Sequence, residues 1–186
     1  MKKISILLIA ILLSSCAVQR NSKAQLVETF FDGFKNSNYS SIKEVIADSL
    51  TITEGDYVMQ YTSESFYEHY KWDSVFKPAY KILKLKNKDD QVLVTTEVAS
   101  LKLEFLENSP MICDRKFYFK AGKIRRIENL DCHNADWKIW ERKVDSLVSW
   151  VKHNQPQLNG FIHDLSMQGA LDYLKAIERY KEQELK

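Results

Sequence analysis

The chain is poor in the residues that break or staple a fold. Its 186 residues hold only 5 Gly, 3 Pro and 3 Cys. So little Gly and Pro excludes a low-complexity or collagen-like chain. Three cysteines are too few for a scaffold that relies on disulfides in place of a core. Net charge is nearly absent, 27 Lys and Arg against 25 Asp and Glu. That argues against nucleic acid as a partner, which wants a basic domain or stripe. No apolar run approaches the roughly twenty residues that a membrane-crossing helix needs. There is no P-loop, no G-x-S-x-G and no dinucleotide fingerprint. His69, His133, His153 and His163 are scattered, with no HxH or HxxxH pair. Cys132 and His133 adjoin, but two thiols and one histidine lack a fourth spaced ligand. No metal and no cofactor is expected. Internal repeats and linker-like shifts in composition are missing as well.

What is present begins at the N-terminus. Lys2 and Lys3 precede an apolar run from Ile4 to Leu13, interrupted only by Ser5, and Ser14-Ser15-Cys16 follows. A basic start, a short apolar stretch and small residues before a cut describe a secretory signal. The small-small-Cys ending resembles the lipobox of bacterial lipoproteins. That resemblance implies loss of residues 1–15, lipidation of Cys16 and a membrane as the first partner. A single acyl chain binds only marginally, whereas two or more anchor stably. Ala17, not Asp, follows the cysteine. By the same resemblance, the expected location is the cell envelope, at the outer membrane and facing the periplasm. Residues 16–22 read as a short polar tether.

Removing residues 1–15 takes away Lys2 and Lys3 and no acid. The remainder has 27 − 2 = 25 basic residues against 25 acidic ones, and 186 − 15 = 171 residues. That length suffices for one domain with a sizeable core.

Leu26, Val27, Phe30, Phe31 and Phe34 recur at helical spacing and predict a helix over 23–36. Ser41 and Glu44 match a capping box ahead of Ile42, Val45, Ile46 and Leu50, a second helix. Leu50–Thr53 reads as a short strand. Ser63–Phe76 reads as a third helix, with Ser65 and Glu68 as its capping box and Pro78 beyond it. From Tyr80 to Asp131 the period changes to two. Tyr80–Lys86 is a strand, and Val92, Val94, Thr96 and Val98 alternate. The apolar set then moves to Leu101, Leu103 and Phe105, which predicts a β-bulge at Ala99-Ser100 in one long strand. Met111–Lys120 and Lys123–Asp131 flank Ala121-Gly122 as a hairpin. Trp137, Trp140, Val144, Leu147 and Val151 predict a helix ended by Pro156 and Gly160. Met167, Leu171, Leu174 and Ile177 predict the last, capped by Asp164 or Ser166.

This order of elements resembles the nuclear transport factor 2-like superfamily, which includes SnoaL-like proteins. Phe30-Phe31-Asp32-Gly33-Phe34, the Ser41–Leu50 helix and the four strands from Tyr80 to Asp131 carry the likeness. It implies an α+β fold: a cone-shaped, curved antiparallel sheet packed on the N-terminal helices, with an apolar pocket. Residues 23–132 would form that domain and 133–186 a helical C-terminal extension. The superfamily holds both enzymes and non-catalytic binders, so the fold leaves function open.

Several residues are candidates for the pocket. If Lys120 pairs with Lys123 and the register runs on unbroken, Phe119 faces Ile124, Phe117 faces Arg126, and Arg115 faces Glu128. Arg115, Arg126 and Glu128 then share one face among apolar residues, where two guanidinium groups could orient a carboxylate or phosphate. The alternative is a cross-strand ion pair on a solvated face. In that register Cys113 faces Leu130 and lies diagonal to Cys132. A disulfide needs a bulge or a two-residue shift, and otherwise both are buried thiols. Tyr57, Tyr61, Phe66, Tyr67, His69, Tyr70 and Trp72 cluster on and before the third helix. Tyr70 is expected at the pocket mouth. Asp56, His69 or Asp73 could serve there as acid or base. The expected function is non-catalytic binding of a small apolar or amphipathic ligand, or of an envelope protein. The alternative is a pocket enzyme of the isomerase, hydratase or hydrolase kind. A homodimer through the open sheet face is a further possibility.

Overall fold

The computed structural model describes residues 22–184. Two helices open the chain, α1 (Lys23–Lys35) and α2 (Tyr39–Val45), followed by strands β1 (Ile46–Glu54) and β2 (Tyr57–Thr62). Helix α3 (Ser63–Ser74), strands β3 (Ala79–Lys88) and β4 (Gln91–Ala99) and a short helix α4 (Leu101–Phe105) come next. The hairpin β5 (Met111–Lys120) and β6 (Lys123–Cys132) leads into α5 (Trp137–Asn154). Two single-turn helices, Pro156–Leu158 and Phe161–His163, precede α6 (Met167–Glu184).

Six strands form one curved sheet in the order β2-β1-β6-β5-β4-β3. Neighbours run antiparallel except β1 and β6, which are parallel. Parallel pairing needs a crossover connection, and here α3 and four strands separate the two partners. The fold is therefore the expected α+β cone with added C-terminal helices, and its sheet is mixed at this one pair.

The helices have local causes. The Ser22 hydroxyl accepts from the Gln25 N–H at 3.2 Å, and the Gln25 side chain accepts from the Ser22 N–H at 2.7 Å. This box starts α1, whose Leu26, Val27, Phe30 and Phe31 face the sheet. Gly33 lets α2 approach: a Cβ there would collide with Ile42 and lie 3.1 Å from the Asn38 carbonyl. The caps of the next two helices differ from expectation. Asn38 caps α2, its Oδ1 accepting from the Ser41 N–H, and α2 ends at Val45 because Ile46 already pairs with β6. Thr62, with Ser65, caps α3.

Two predicted features of the sheet are corrected. The long bulged strand does not exist. β4 stops at Ala99, and the Ser100 hydroxyl accepts from the Leu103 N–H at 3.2 Å to begin α4. The change of apolar parity marks a strand handing over to a helix. The β5–β6 register also departs from the unbroken one. Ala121 and Gly122, both with positive φ, form the tight turn, and Lys120 pairs Lys123. One shift falls between Tyr118 and Phe119, so that Phe117 pairs Ile127 and Arg115 pairs Asn129. A second shift, between Cys113 and Arg115, places Cys113 opposite Cys132, and a disulfide joins the two.

The main core lies between the concave face of the sheet and α1 to α3. Val27, Phe30, Phe31, Ile42, Phe66, Val92, Val94, Phe117 and Ile124 are buried there. A second core joins the end of α3 and α4 to the C-terminal helices. In it Phe76, Phe105 and Leu106 pack with Leu147, Val151, Phe161, Tyr173 and Ile177. Residues beyond 132 thus bury side chains that belong to the first 132.

Candidate functional site

The concave face is not filled to its open end. A cavity of about 360 Å³ lies against Phe30, Phe31, Phe34, Ile52, Met59, Tyr61, Phe66, Trp72 and Ile127. A second, of about 250 Å³, continues toward Val98, Leu103, Met111, the disulfide, Trp137 and Trp140. Glu54, Asp73, Tyr80, Lys102, Arg115 and Asn129 line both. The two cavities are therefore halves of one cleft with a polar waist and apolar ends.

Each group at the waist is placed by an element described above. The register shift in β5–β6 turns Arg115 and Asn129 together onto the concave face. Arg115 Nε donates to Asn129 Oδ1 at 3.2 Å, and Nη1 donates to the Thr96 hydroxyl. Both acceptors are neutral. The guanidinium also lies 5.9 Å from the Phe31 ring centre and 5.8 Å from that of Tyr80. No carboxylate within 4.0 Å balances it among the described residues.

Helix α3 brings His69 and Asp73 to the same cleft, one turn apart on one face. The Tyr80 hydroxyl donates to Asp73 Oδ2 at 3.3 Å. Burial, with the Asp73 carboxylate beside it, pushes the Tyr80 phenol far up, so it stays a proton donor. His69 lies between Phe66 and Trp72, ring centres 5.7 and 6.3 Å away. Burial holds its imidazole below the ordinary histidine value; Asp73 opposes this and Lys102 adds to it. Lys102 comes from α4. Its amine stands 4.5 Å from the centre of the Trp72 ring and 5.3 Å from that of Phe76. Desolvation lowers its pKa against the pull of Asp73 and Glu54.

Three of the candidates named from sequence meet here: His69, Asp73 and Arg115. The others do not. Arg126 and Glu128 are turned to the convex face by the shift between Tyr118 and Phe119. There Glu128 accepts from Lys116 at 3.0 Å, Tyr118 at 2.8 Å and Arg126 at 3.4 Å. The Lys116 and Tyr118 hydrogen bonds lead in holding its carboxyl below the usual range. This is the solvated cross-strand cluster, not a ligand clamp. Asp56 sits exposed in the β1–β2 turn, on an outer groove with Arg126, Glu128 and His133. Tyr70 is buried in the main core against Phe34 and Tyr39.

Lys102, Tyr80, Glu54 and Asn129 were not among the candidates from sequence. Lys102 was hidden by the reading of Leu101–Phe105 as strand, and the Ser100 cap was the signal that could have exposed it. Asn129 was hidden by the unbroken register. Among the described residues no cluster of three His, Cys, Asp or Glu could hold a metal.

The cone with its half-filled concave face defines a class: the nuclear transport factor 2-like fold with a ligand-sized cleft. Solved structures of that class superimpose on the chain. A proposed polyketide cyclase from Sinorhizobium meliloti shares 17% identity over 59% of this chain and 100% of that one, with a TM-score of 0.50. A proposed ketosteroid isomerase from Kribbella flavida shares 8% identity over 61% and 79%, TM-score 0.51. A proposed polyketide cyclase from Streptomyces antibioticus shares 10% identity over 67% and 99%, TM-score 0.51. At such identities the likeness is one of fold. No protein-family model matches the chain, and no curated protein matches it.

Proposed function

We propose that the protein is a lipid-anchored envelope protein whose cone binds a small amphipathic molecule carrying an anionic group. The observation that supports this most is Arg115, a guanidinium held by two neutral acceptors on an aromatic cleft, with no carboxylate of the described residues within 4.0 Å although Glu54 and Asp73 line the same waist. A charge in such a place favours an anionic partner, because Coulomb attraction is strong where water is largely excluded. The walls of Phe30, Phe34, Phe66 and Trp72 suit the apolar body of the ligand.

The anchor bears on how the ligand arrives. Lys23 donates to the Asp89 carbonyl and lies over the Phe119 ring, so α1 begins at the tips of the β3–β4 and β5–β6 hairpins. The waist of the cleft lies about halfway along β5. Arg115 is five residues from Lys120, roughly 17 Å at 3.3 Å per residue. A chain tethered at Cys16 would attach to the membrane at the hairpin end and take its ligand from the aqueous side.

A second reading has its own support. His69, held toward the neutral form, lies beside the Asp73–Tyr80 pair in a cleft partly closed to water. A neutral imidazole and a phenol donor are the parts of a proton-transfer site, so an isomerase, hydratase or hydrolase remains the alternative to a binder.

Titration with anilinonaphthalene sulfonate, an apolar fluorophore with one anionic group, tests the binding reading. Saturable binding is expected, and Arg115→Met weakens it at least about ten-fold, as loss of a charge-assisted contact does. Arg115→Lys recovers part of the loss, and the neutral phenylnaphthylamine is unaffected by either change. Equal affinity of wild type and Arg115→Met for the anion would overturn the reading.

A further inference from the structure

Lys102 is the one described lysine that lines both halves of the cleft. It has no carboxylate within 4.0 Å and makes no hydrogen bond through its amine among the described residues. Half-buried lysines elsewhere are paired: Lys71 meets Glu68 at 2.7 Å and Lys116 meets Glu128 at 3.0 Å. The Lys102 amine is crowded by protein and faces two aromatic rings at the junction of the two cavities. Its position is fixed from both sides. Ser100 caps the short helix that carries it, and the neighbouring Leu103 and Phe105 are buried.

We propose that Lys102 is a carbonyl-capturing amine, which condenses reversibly with an aldehyde or ketone group of the ligand. The proposal rests on the cleft being a ligand site and names the chemical class that enters it. An unprotonated amine is a nucleophile toward carbonyl carbon, and burial lowers the Lys102 pKa in that direction, against Asp73 and Glu54 on the same waist. The lone pair of Nζ forms the C–N bond, and the carbonyl π electrons move to oxygen. The carbinolamine then loses that oxygen as water, which carries away both hydrogens of the amine, and a C=N bond remains. No oxidant, reductant or co-reactant is consumed. The surrounding groups suit the step. The Tyr80 phenol, bonded to Asp73 at 3.3 Å, and Arg115 line the same waist as Lys102, where Arg115 can hold an anionic arm of the ligand. Lysines on the convex face have none of these features. Lys84, Lys86 and Lys88 are exposed on β3 and line neither half of the cleft.

Benzoylacetone, a diketone with one apolar ring, gives the test. It condenses with a lysine amine, losing water, to a conjugated enaminone that absorbs in the near ultraviolet. With the purified protein near pH 7 the expected result is a band that saturates at one label per chain. Peptide mapping by mass spectrometry places the label on Lys102. The rate rises with pH and levels off below the range of an ordinary lysine. Lys102→Met and Lys102→Arg, each checked for folding by circular dichroism, give no band. Absence of the band, or a label spread over the exposed lysines, would overturn the proposal. Binding of anilinonaphthalene sulfonate by the same wild-type sample separates the two failures. If the dye binds and the diketone leaves no mark, the cleft stands and the amine chemistry falls. If neither occurs, both fall.

Discussion

His69 shows how much one side chain inherits from its surroundings. Five aromatic or charged neighbours, Phe66, Tyr61, Trp72, Asp73 and Lys102, act on it. The largest effect is burial, which disfavours the imidazolium. The folded protein therefore holds a proton at this site less tightly than the unfolded chain. Where the unfolded state binds more protons, stability rises with pH. The contribution is fully present above the ordinary histidine value near 6.5. It is lost as pH falls through that value toward the lower folded one. One proton limits the slope to about 1.4 kcal/mol per pH unit. Glu64, Glu107, Glu128 and Asp164 are also shifted, all downward from carboxylate values, so they act in a more acidic window. Thermal melts between pH 7 and 5 should thus show a falling Tm in wild type and a flatter profile in His69→Gln. Superimposable profiles would contradict the placement of His69.

At the scale of the element, close approach and cross-linking decide more than propensity. Gly33→Ala forces a methyl into Ile42 and toward the Asn38 carbonyl. Overpacking of this kind costs about 1–3 kcal/mol, and a lower Tm or denaturation midpoint would register it. An unchanged midpoint would mean that α1 and α2 are not locked at this point. The Cys113–Cys132 bridge closes a loop with a sequence separation of 19. Loop-closure entropy for that length is about 3 kcal/mol in the chain-entropy account. The Cys113→Ala, Cys132→Ala double variant should lose stability on that order in denaturant titration. The bridge also holds the second register shift in place, so exchange of amides from Ile112 to Arg115 should quicken more than exchange at the Lys120–Lys123 tip.

The same elements show what a sequence can reveal. Long amphipathic helices were legible because their apolar stripes span several turns: α1 falls within a residue of expectation, and α5 and α6 begin where their stripes begin, though α6 runs on to Glu184. β4 and the β5–β6 turn were legible through strict alternation and Ala121-Gly122. Short elements were not. Tyr57–Thr62 alternates weakly because β2 is an edge strand with Tyr57 and Val58 exposed, so it lacks the buried face that period-two patterns report. Leu101–Phe105 is one helical turn, too short to display a period, and its apolar residues mimic a shifted strand. The register of β5–β6 escaped for a different reason. A one-residue slip leaves composition unchanged and moves side chains to the other face. That slip separated Arg115 from Arg126 and Glu128, and it put Asn129 in their place. Part of the site was therefore readable from residue type and helix spacing, His69 and Asp73 above all. The rest depended on pairing that no local pattern encodes.

For the whole molecule two boundaries matter. The first is the anchor. Cys16 lies outside the described residues, so its lipidation is tested in cells. Metabolic labelling with palmitate should mark the wild-type chain and not Cys16→Ala, and the variant should move from the membrane to the soluble fraction. A labelled Cys16→Ala chain would defeat the lipoprotein reading.

The second boundary falls near residue 132, where the cone ends and the helical extension begins. The packing argues that this is not a border between independent parts. Phe76 and Leu106 are fully covered and Phe105 nearly so, and the side chains that cover them come from α5, α6 and the turn at Phe161. Tyr173 meets Phe76 with ring centres 5.5 Å apart, and Tyr180 meets Phe105 at 5.9 Å. Fully burying a side chain of the Phe or Leu class is worth about 1.5–3 kcal/mol. Exposing all three together would remove several kcal/mol, a large share of the 5–15 kcal/mol that domains of this size possess. The loss would also reach the cleft. Trp137, Trp140 and Leu165 line it from the extension, and Trp72, which underlies Lys102, packs beside Phe76 at 5.1 Å. A chain ending at residue 132 should therefore be poorly soluble or unfolded by circular dichroism, and should not bind anilinonaphthalene sulfonate with the affinity of the full chain. A truncated protein that melted cooperatively near the wild-type Tm and bound the dye equally well would show that the extension is an accessory, and that the cone builds its site alone.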